Sequence, residues 1–410
     1  MTLAEILNAL SAPLSLGIAL FAAHVLLLRR DNRCIYVPLA LFFIAQGVLE
    51  LHRLLFLGAL MWKLSTDLSD LAPALHSPMR LLTALTFPAL LALAPLFWLY
   101  VDALTRETRA PWRHWPLHFT PALFAGVVAL PYLFLPMDVL DDAPISPEAA
   151  FAGLALAVSY ALLALTVFLH LQIAGYVVAT LYRLFTYRNR LKDLFASTDT
   201  IELRWINALA LSMGLYWLVT TLGLAATLLG KQVPNADTAE TLSGVAALWC
   251  TALWGIRQKP GFSHEVSPVQ QTEPDKDRLI MGKYTRSALT NEHARRIAEK
   301  IGLAMQRDQL YRDPNLSLWD LAKHISTSSN YVSQTLNETI GETFFDYVNS
   351  WRIKDAVREI EQTDQTIMTI AYDVGFNSRS SFYKAFKREV GGMPTALPRP
   401  KKRVTKAPPV

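Results

Sequence analysis

Seven long runs of apolar, nearly uncharged residues crowd the first 256 positions, at about 6–28, 35–56, 81–103, 119–136, 152–182, 205–229 and 240–256. A helix crossing about 30 Å of hydrocarbon needs about 20 such residues. Backbone in lipid must satisfy its own polar groups, which leaves only helices or a closed barrel. Continuous runs of this length select helices, and few charges interrupt them. The fourth and seventh runs are short, while the fifth is long enough to project beyond the bilayer.

The first run lacks a basic segment before it and is followed by Arg29, Arg30 and Arg33. A cleaved signal carries a shorter apolar stretch with its charges on the other side, so a retained helix is expected. Basic residues alternate between loops. Arg29, Arg30, Arg33, Arg106, Arg109, Arg113, Arg183, Arg188, Arg190, Lys192, Arg204, Arg257 and Lys259 fall on one side, against Lys63, Arg80 and Lys231 on the other. Segment 137–150 is purely acidic, with Asp138, Asp141, Asp142 and Glu148. By the positive-inside rule the N-terminus is expected outside and the C-terminus in the cytoplasm, which an odd number of spans also requires. The expected location is a multi-pass protein of the cytoplasmic (inner) membrane.

Composition changes sharply after Arg257, where charge becomes dense, although 52% of all 410 residues are hydrophobic. The net charge of +5 fits basic inner loops as well as a nucleic-acid binder. Cys34 and Cys250, the two cysteines, lie in or beside apolar runs, so no disulfide framework is expected. The expected organisation is all-α. A seven-helix transmembrane domain (1–258) is followed by a flexible linker (259–283), a bridging helix (284–309), a cytoplasmic domain with two helix-turn-helix units (310–397) and a basic tail (398–410). The linker segment KPGFSHEVSPVQQTEPDKD has no apolar period. In the bridging helix Ile297, Ile301 and Met305 recur at i, i+4, i+8 after Thr290, a candidate N-cap.

Residues 317–337 read SLWDLAKHISTSSNYVSQTLN. Leu318, Leu321, Ala322 and Ile325 make the buried stripe of a short helix, a polar break follows, and Val332 and Leu336 face inward from a second helix. Two helices crossing steeply within a tight turn need a small residue at closest approach, and Ala322 supplies it. That is a helix-turn-helix design, whose second helix enters the major groove. The pattern recurs 49 residues later in Ile367, Ile370, Ala371 and Val374, with Gly375 in the turn and Phe382 and Phe386 on the second helix. Phe344, Tyr347, Val348, Trp351 and Ile353 predict a connecting helix over about 343–361.

The region 310–397 resembles the AraC/XylS family of transcription regulators. The residues that carry the resemblance are Gly341, Tyr347, Arg352 and Ala356, then IAYDVGFNSRSSFYKAFKREVGGMP from Ile370 to Pro394. Gly375-Phe376, Phe382, Phe386-Lys387, Gly391 and Pro394 match the family signature, whereas the family's Tyr-Arg after that proline is replaced by Leu397-Pro398. The whole arrangement is similar to the subgroup in which seven transmembrane helices stand in place of a soluble ligand-binding domain. The resemblance implies double-stranded promoter DNA as partner. It places Asn330, Ser333 and Gln334 on the first recognition helix and Arg379, Ser380 and Lys384 on the second. Arg and Lys suit guanine N7/O6, and Asn and Gln suit adenine N6/N7. Residues 315–398 nevertheless hold eight Lys+Arg against ten Asp+Glu. Phosphate neutralisation supplies most non-specific affinity, so one copy is expected to bind modestly unless a homodimer or the basic tail adds to it.

Polar residues inside spans are candidates for function. Glu50, His52 and Arg53 cluster near the outer end of the second run and His170 lies deeper in the fifth, a candidate site for a small-molecule or membrane-protein signal. Tyr216 and Trp217 are expected to pack. No HExxH, GxSxG, Walker or GxGxxG motif occurs, so no catalytic residues, metal or cofactor are expected. The alternative reading is a membrane enzyme or transporter with an appended DNA-binding domain. A slack linker transmits orientation poorly. The bundle is therefore expected to act through subunit association, or by docking and releasing the 290–307 helix.

Overall fold

The computed structural model describes residues 3–30, 32–65, 72–106, 115–134, 152–197, 204–231, 236–257 and 291–398. The expected linker, the start of the bridging helix including Thr290, the acidic segment 137–150 and the basic residues beyond 398 lie outside the described residues. Among those described, regular structure is helical throughout, apart from one isolated bridge between Phe195 and Ser317. The protein is all-α. It divides into two compact units, Met1–Leu184 with Leu203–Glu265, and Phe185–Glu202 with Val266–Val410.

The first unit contains α1 (Leu3–Leu28), α2 (Arg33–Ser65), α3 (Ala72–Thr105), α4 (Thr120–Ala129), most of α5 (Ala152–Leu194), α6 (Arg204–Leu228) and α7 (Ala236–Arg257). Five described stretches are long and apolar enough to cross a membrane: Leu10–Leu28, Arg33–Gly58, Met79–Thr105, Leu156–Leu194 and Leu211–Leu228. The fourth expected run is broken instead. Pro121 begins α4, and Pro131 opens a separate turn, Pro131–Phe134, because proline lacks an N–H and clashes one turn back. The seventh run is helical as α7, but Asp237 and Glu240 polarise its start. Prolines 13 and 38 sit inside α1 and α2 without ending them.

Packing within this unit uses small residues and polar ties. A Cβ on Gly255 of α7 would stand 2.5 Å from the end of the Leu39 side chain of α2, so a larger residue there would have to displace that leucine. Asp102 of α3, which is buried, pairs with Arg106 at 2.6 Å and with Arg183 of α5 at 3.3 Å. The outer faces remain apolar: Phe21 is 66% exposed, Leu171 67% and Leu211 75%. Water-exposed apolar surface on this scale is uncommon in soluble monomers.

The second unit holds α8 (Asn291–Gln306), α9 (Leu318–His324), α10 (Ser329–Gln334), α11 (Phe344–Gln362), α12 (Ile367–Asp373) and α13 (Arg379–Val390). Five hydroxyl caps set their starts. Ser317, Ser328, Thr343, Thr366 and Ser378 each accept a hydrogen bond from a backbone N–H in the first turn, and Ser317 forms a full capping box with Asp320. Such caps stabilise by about 1 kcal/mol each. Helix α8 buries Ala294, Ile297, Ile301, Ala304 and Met305 and packs on α9, α10 and the turn that follows α10. The expected bridging helix is thus part of the first helix-turn-helix unit over its described length. The connector α11 buries Ile353, Ala356 and Ile360 in a core with Ile370, Val374, Phe376, Phe382 and Phe386.

Candidate nucleic-acid interface and bundle cavity

The two helix-turn-helix units superimpose in their internal logic. In the first, Leu321, Ala322, Val332 and Leu336 are buried; in the second, Ile370, Ala371, Phe382 and Phe386 take the same roles. The second helix of the first unit does not stop at Gln334. It passes into a π-helical turn, Thr335–Ile340, which Gly341 ends at φ +83°. The backbone beyond α13 likewise turns at Gly391, at φ +77°.

The expected DNA-reading residues sit on the outward faces of these second helices. Asn330 is exposed on α10, with Ser333 and Gln334 half-buried beside it; Arg379, Ser380 and Lys384 are all exposed on α13. Gln334 donates one amide N–H to the Glu338 carboxylate at 2.8 Å, which leaves its other N–H and its carbonyl oxygen for a base edge. Sequence reasoning passed over Glu338, which lies one turn further on. Arg379 lies over the Tyr383 ring, its guanidinium carbon 5.2 Å from the centroid, which holds the side chain along the helix. The Ser380 hydroxyl is 3.1 Å from that of Ser378, the cap of the same helix.

The two units are joined behind this surface by a polar network. Asp355 of α11 accepts from the Tyr311 hydroxyl at 2.9 Å and from Arg312 at 2.7 Å, and it also pairs with Arg358. Burial pushes the Tyr311 hydroxyl above its usual range, so it stays a donor here. Arg352 is fully buried. Its Nε donates to the Tyr311 carbonyl at 2.7 Å, Nη2 to Asp313 at 2.8 Å, and Nη1 to Ala196 at 3.1 Å. Burial lowers its pKa to about 10, against the opposing pull of Asp313, so it remains charged at neutral pH.

The first unit contains a cavity of about 580 Å³, lined among others by Gln46, Glu50, Arg53, His170, Tyr216, Trp217, Glu240 and Thr241. Three of the four residues suggested for sensing meet there. Arg53 reaches Glu50 at 3.8 Å and donates to Thr241 at 3.2 Å. His170 Nδ1 donates to the Thr166 carbonyl at 2.8 Å, which requires a proton on Nδ1. His52 does not line the cavity; it bonds the Thr83 hydroxyl at 2.9 Å and stacks near Phe56. Tyr216 and Trp217 are more than packing. Both line the cavity, and Trp217 Nε1 donates to the His170 carbonyl at 3.0 Å.

Comparison with known proteins bears on the second unit. Residues 321–399 match a family model described as a helix-turn-helix domain. An uncharacterized HTH-type transcriptional regulator of Staphylococcus aureus (strain COL) is 32% identical over 89 residues, which is 22% of this chain and 12% of that protein. A protein of Streptomyces lividans named as an AraC-like transcription regulator is 35% identical over 88 residues, 21% of this chain and 29% of its own length. The match thus spans about an eighth of the staphylococcal relative and under a third of the Streptomyces one. No solved structure matches the chain. Residues 321–399 therefore carry a helix-turn-helix domain, and about a fifth of the chain is similar to proteins named as transcription regulators.

Proposed function

We propose that the protein is a membrane-held, one-component transcription regulator. In this reading its tandem helix-turn-helix units bind promoter DNA sequence-specifically, and its transmembrane half controls that binding in response to a signal. The observation that carries the reading is the pairing of two units with matching buried stripes, each presenting polar side chains on the outward face of its second helix. A helix so placed fits the major groove, and two on one connector suit groove segments about one turn, roughly 34 Å, apart. A homodimer would double that footprint and the number of phosphate contacts, which are expected to be few where residues 315–398 hold eight Lys+Arg against ten Asp+Glu.

The test is at Arg379 and Lys384. Each alanine variant is expected to weaken specific binding by about 1–3 kcal/mol, or about 5- to 150-fold, if the side chain reads a base. The loss should be confined to the cognate site in a titration against random DNA. Wild-type affinity in both variants would remove α13 from the groove.

Seven spans, with the N-terminus outside and the C-terminus in the cytoplasm, complete the proposal, since the DNA-binding half must share a compartment with DNA. A reporter enzyme fused after Arg257 is expected to be active only as a cytoplasmic fusion, and one inserted within 137–150 only as an external one. An external signal from the Arg257 fusion would contradict the architecture. The cavity beside Glu50, Arg53 and His170 is the proposed signal site.

A further inference from the structure

Helix α5 continues well past its last apolar turn, with Tyr187, Leu191 and Leu194 buried along one face. The three residues that follow are held by the DNA-binding unit. Phe195 forms a backbone bridge with Ser317, and its ring meets Trp319 edge-on at 5.7 Å. The Ala196 N–H donates to the Leu316 carbonyl at 3.0 Å, while the Ala196 carbonyl accepts from Arg352 at 3.1 Å and from Asn349 at 3.4 Å. The Ser197 hydroxyl accepts from Asn377 at 3.1 Å. Phe195 and Ala196 are almost completely buried.

These contacts fall where the two helix-turn-helix units meet. Leu316 to Trp319 open the first unit, Asn377 precedes α13 in the second, and Asn349 and Arg352 lie on the connector. One short segment thus touches both units and the helix between them. Most of its bonds are made by main chain, which fixes position rather than side-chain identity.

We infer that Phe195–Ser197 is a docking segment seated in the DNA-binding unit at the junction of its two helix-turn-helix units, and is the output contact of the transmembrane half. The inference rests on the proposed function for the meaning of that output, though the docking stands apart from it. Helix α5 runs unbroken to Leu194, so this segment is the covalent route by which a movement of the fifth expected span would reach the starts of α9 and α13. A change in the spacing of those helices changes which pair of groove segments they fit. The 259–283 segment, by its composition, is a poor transmitter. This route replaces the expectation that subunit association or the 290–307 helix carries the signal.

The docking is tested in membranes with the full chain, Cys34 and Cys250 replaced by serine and a site-specific protease sequence inserted after Asp277. Ser197→Cys with Asn377→Cys is treated with a short bifunctional methanethiosulfonate, and the inserted sequence is then cut. On a non-reducing gel the expected product keeps the full chain mass and separates into two fragments only on reduction. Ser197→Cys with Glu338→Cys serves as the distance control and is expected to fall apart without reductant. Two fragments from the first pair, equal bridging in the control, or a dimer band before cutting would each overturn within-chain docking.

The output role is tested by inserting four Gly/Ser residues between Leu194 and Phe195. Transcription from a promoter that the protein occupies is expected to change at least fivefold, with DNA binding in vitro retained. The same insertion after Asp277 should leave transcription within twofold. Unchanged transcription from the first insertion would overturn the output role even if docking holds. Loss of DNA binding by the unaltered chain would instead remove the proposed function and leave the docking result standing.

Discussion

Replacing Arg352 by methionine is expected to destabilise the DNA-binding unit by about 3–5 kcal/mol, because hydrogen bonds from a charged group contribute about 1.5–3 kcal/mol each and three are lost. Methionine matches the aliphatic stem but offers no donors. The Tyr311 carbonyl would be left facing an apolar side chain, at a cost of about 1–3 kcal/mol where no water replaces the lost bond. The carbonyls of Asp313 and Ala196 would lose their shorter bonds and keep only those from the Leu316 N–H at 3.3 Å and from Asn349 at 3.4 Å. The stacking of the guanidinium 5.5 Å from the Phe376 ring centroid would go as well, loosening the turn of the second unit. Pulse proteolysis of the full chain in membranes, read at a C-terminal tag, should show the unfolding midpoint falling by more than about 10 °C. Arg352→Lys keeps the charge but not the planar fork, so it should recover only part of the loss. A methionine variant within about 2 °C of wild type would mean that these carbonyls are satisfied in another way.

Gly375→Ala should come second, at about 2–4 kcal/mol, because strain at positive φ and steric conflict add. The residue sits at φ +99°, and an added Cβ would stand 2.6 Å from the Tyr311 carbonyl oxygen and 2.8 Å from that of Arg312. Those atoms are backbone, pinned by Arg352 and by the Asp355 network, and cannot swing aside. Gly391→Ala provides the internal comparison. It has φ +77° but nothing within 4 Å of the added carbon, so only the conformational cost of about 1 kcal/mol applies. The same proteolysis assay should rank Gly375→Ala well below Gly391→Ala, and equal midpoints would contradict the close approach at Tyr311.

Where side-chain pattern determines structure, the sequence was readable. The Leu318–Ile325 and Ile367–Val374 stripes gave both short helices, and the connector expected at about 343–361 is found at Phe344–Gln362. Asn330, Arg379, Ser380 and Lys384 were singled out by the family resemblance rather than by periodicity, and all four are exposed. Where main chain or long-range geometry determines structure, it was not. Phe195–Ser197 is held largely through its backbone, which leaves no trace in residue type. The extension of α5 to Leu194 was legible in the spacing of Tyr187, Leu191 and Leu194, yet Arg183, Arg188, Arg190 and Lys192 made that stretch read as loop. Arg352 stood out only by resemblance, because its partners are carbonyls from three separate segments. His52 was grouped with Glu50 and Arg53 by proximity in sequence, but adjacent helical positions point to different faces, and Thr83 holds it elsewhere.

The central claim of the proposed function is that this chain, held in a membrane, binds specific promoters, and genome-wide occupancy of the tagged protein in cells tests it most directly. The account predicts discrete promoter peaks whose shared motif has two half-sites about one helical turn apart. Those peaks should vanish in the Arg379→Ala/Lys384→Ala double variant while protein level and membrane location are unchanged. Occupancy no higher than background for the unaltered chain, or the same peaks in the double variant, would contradict it.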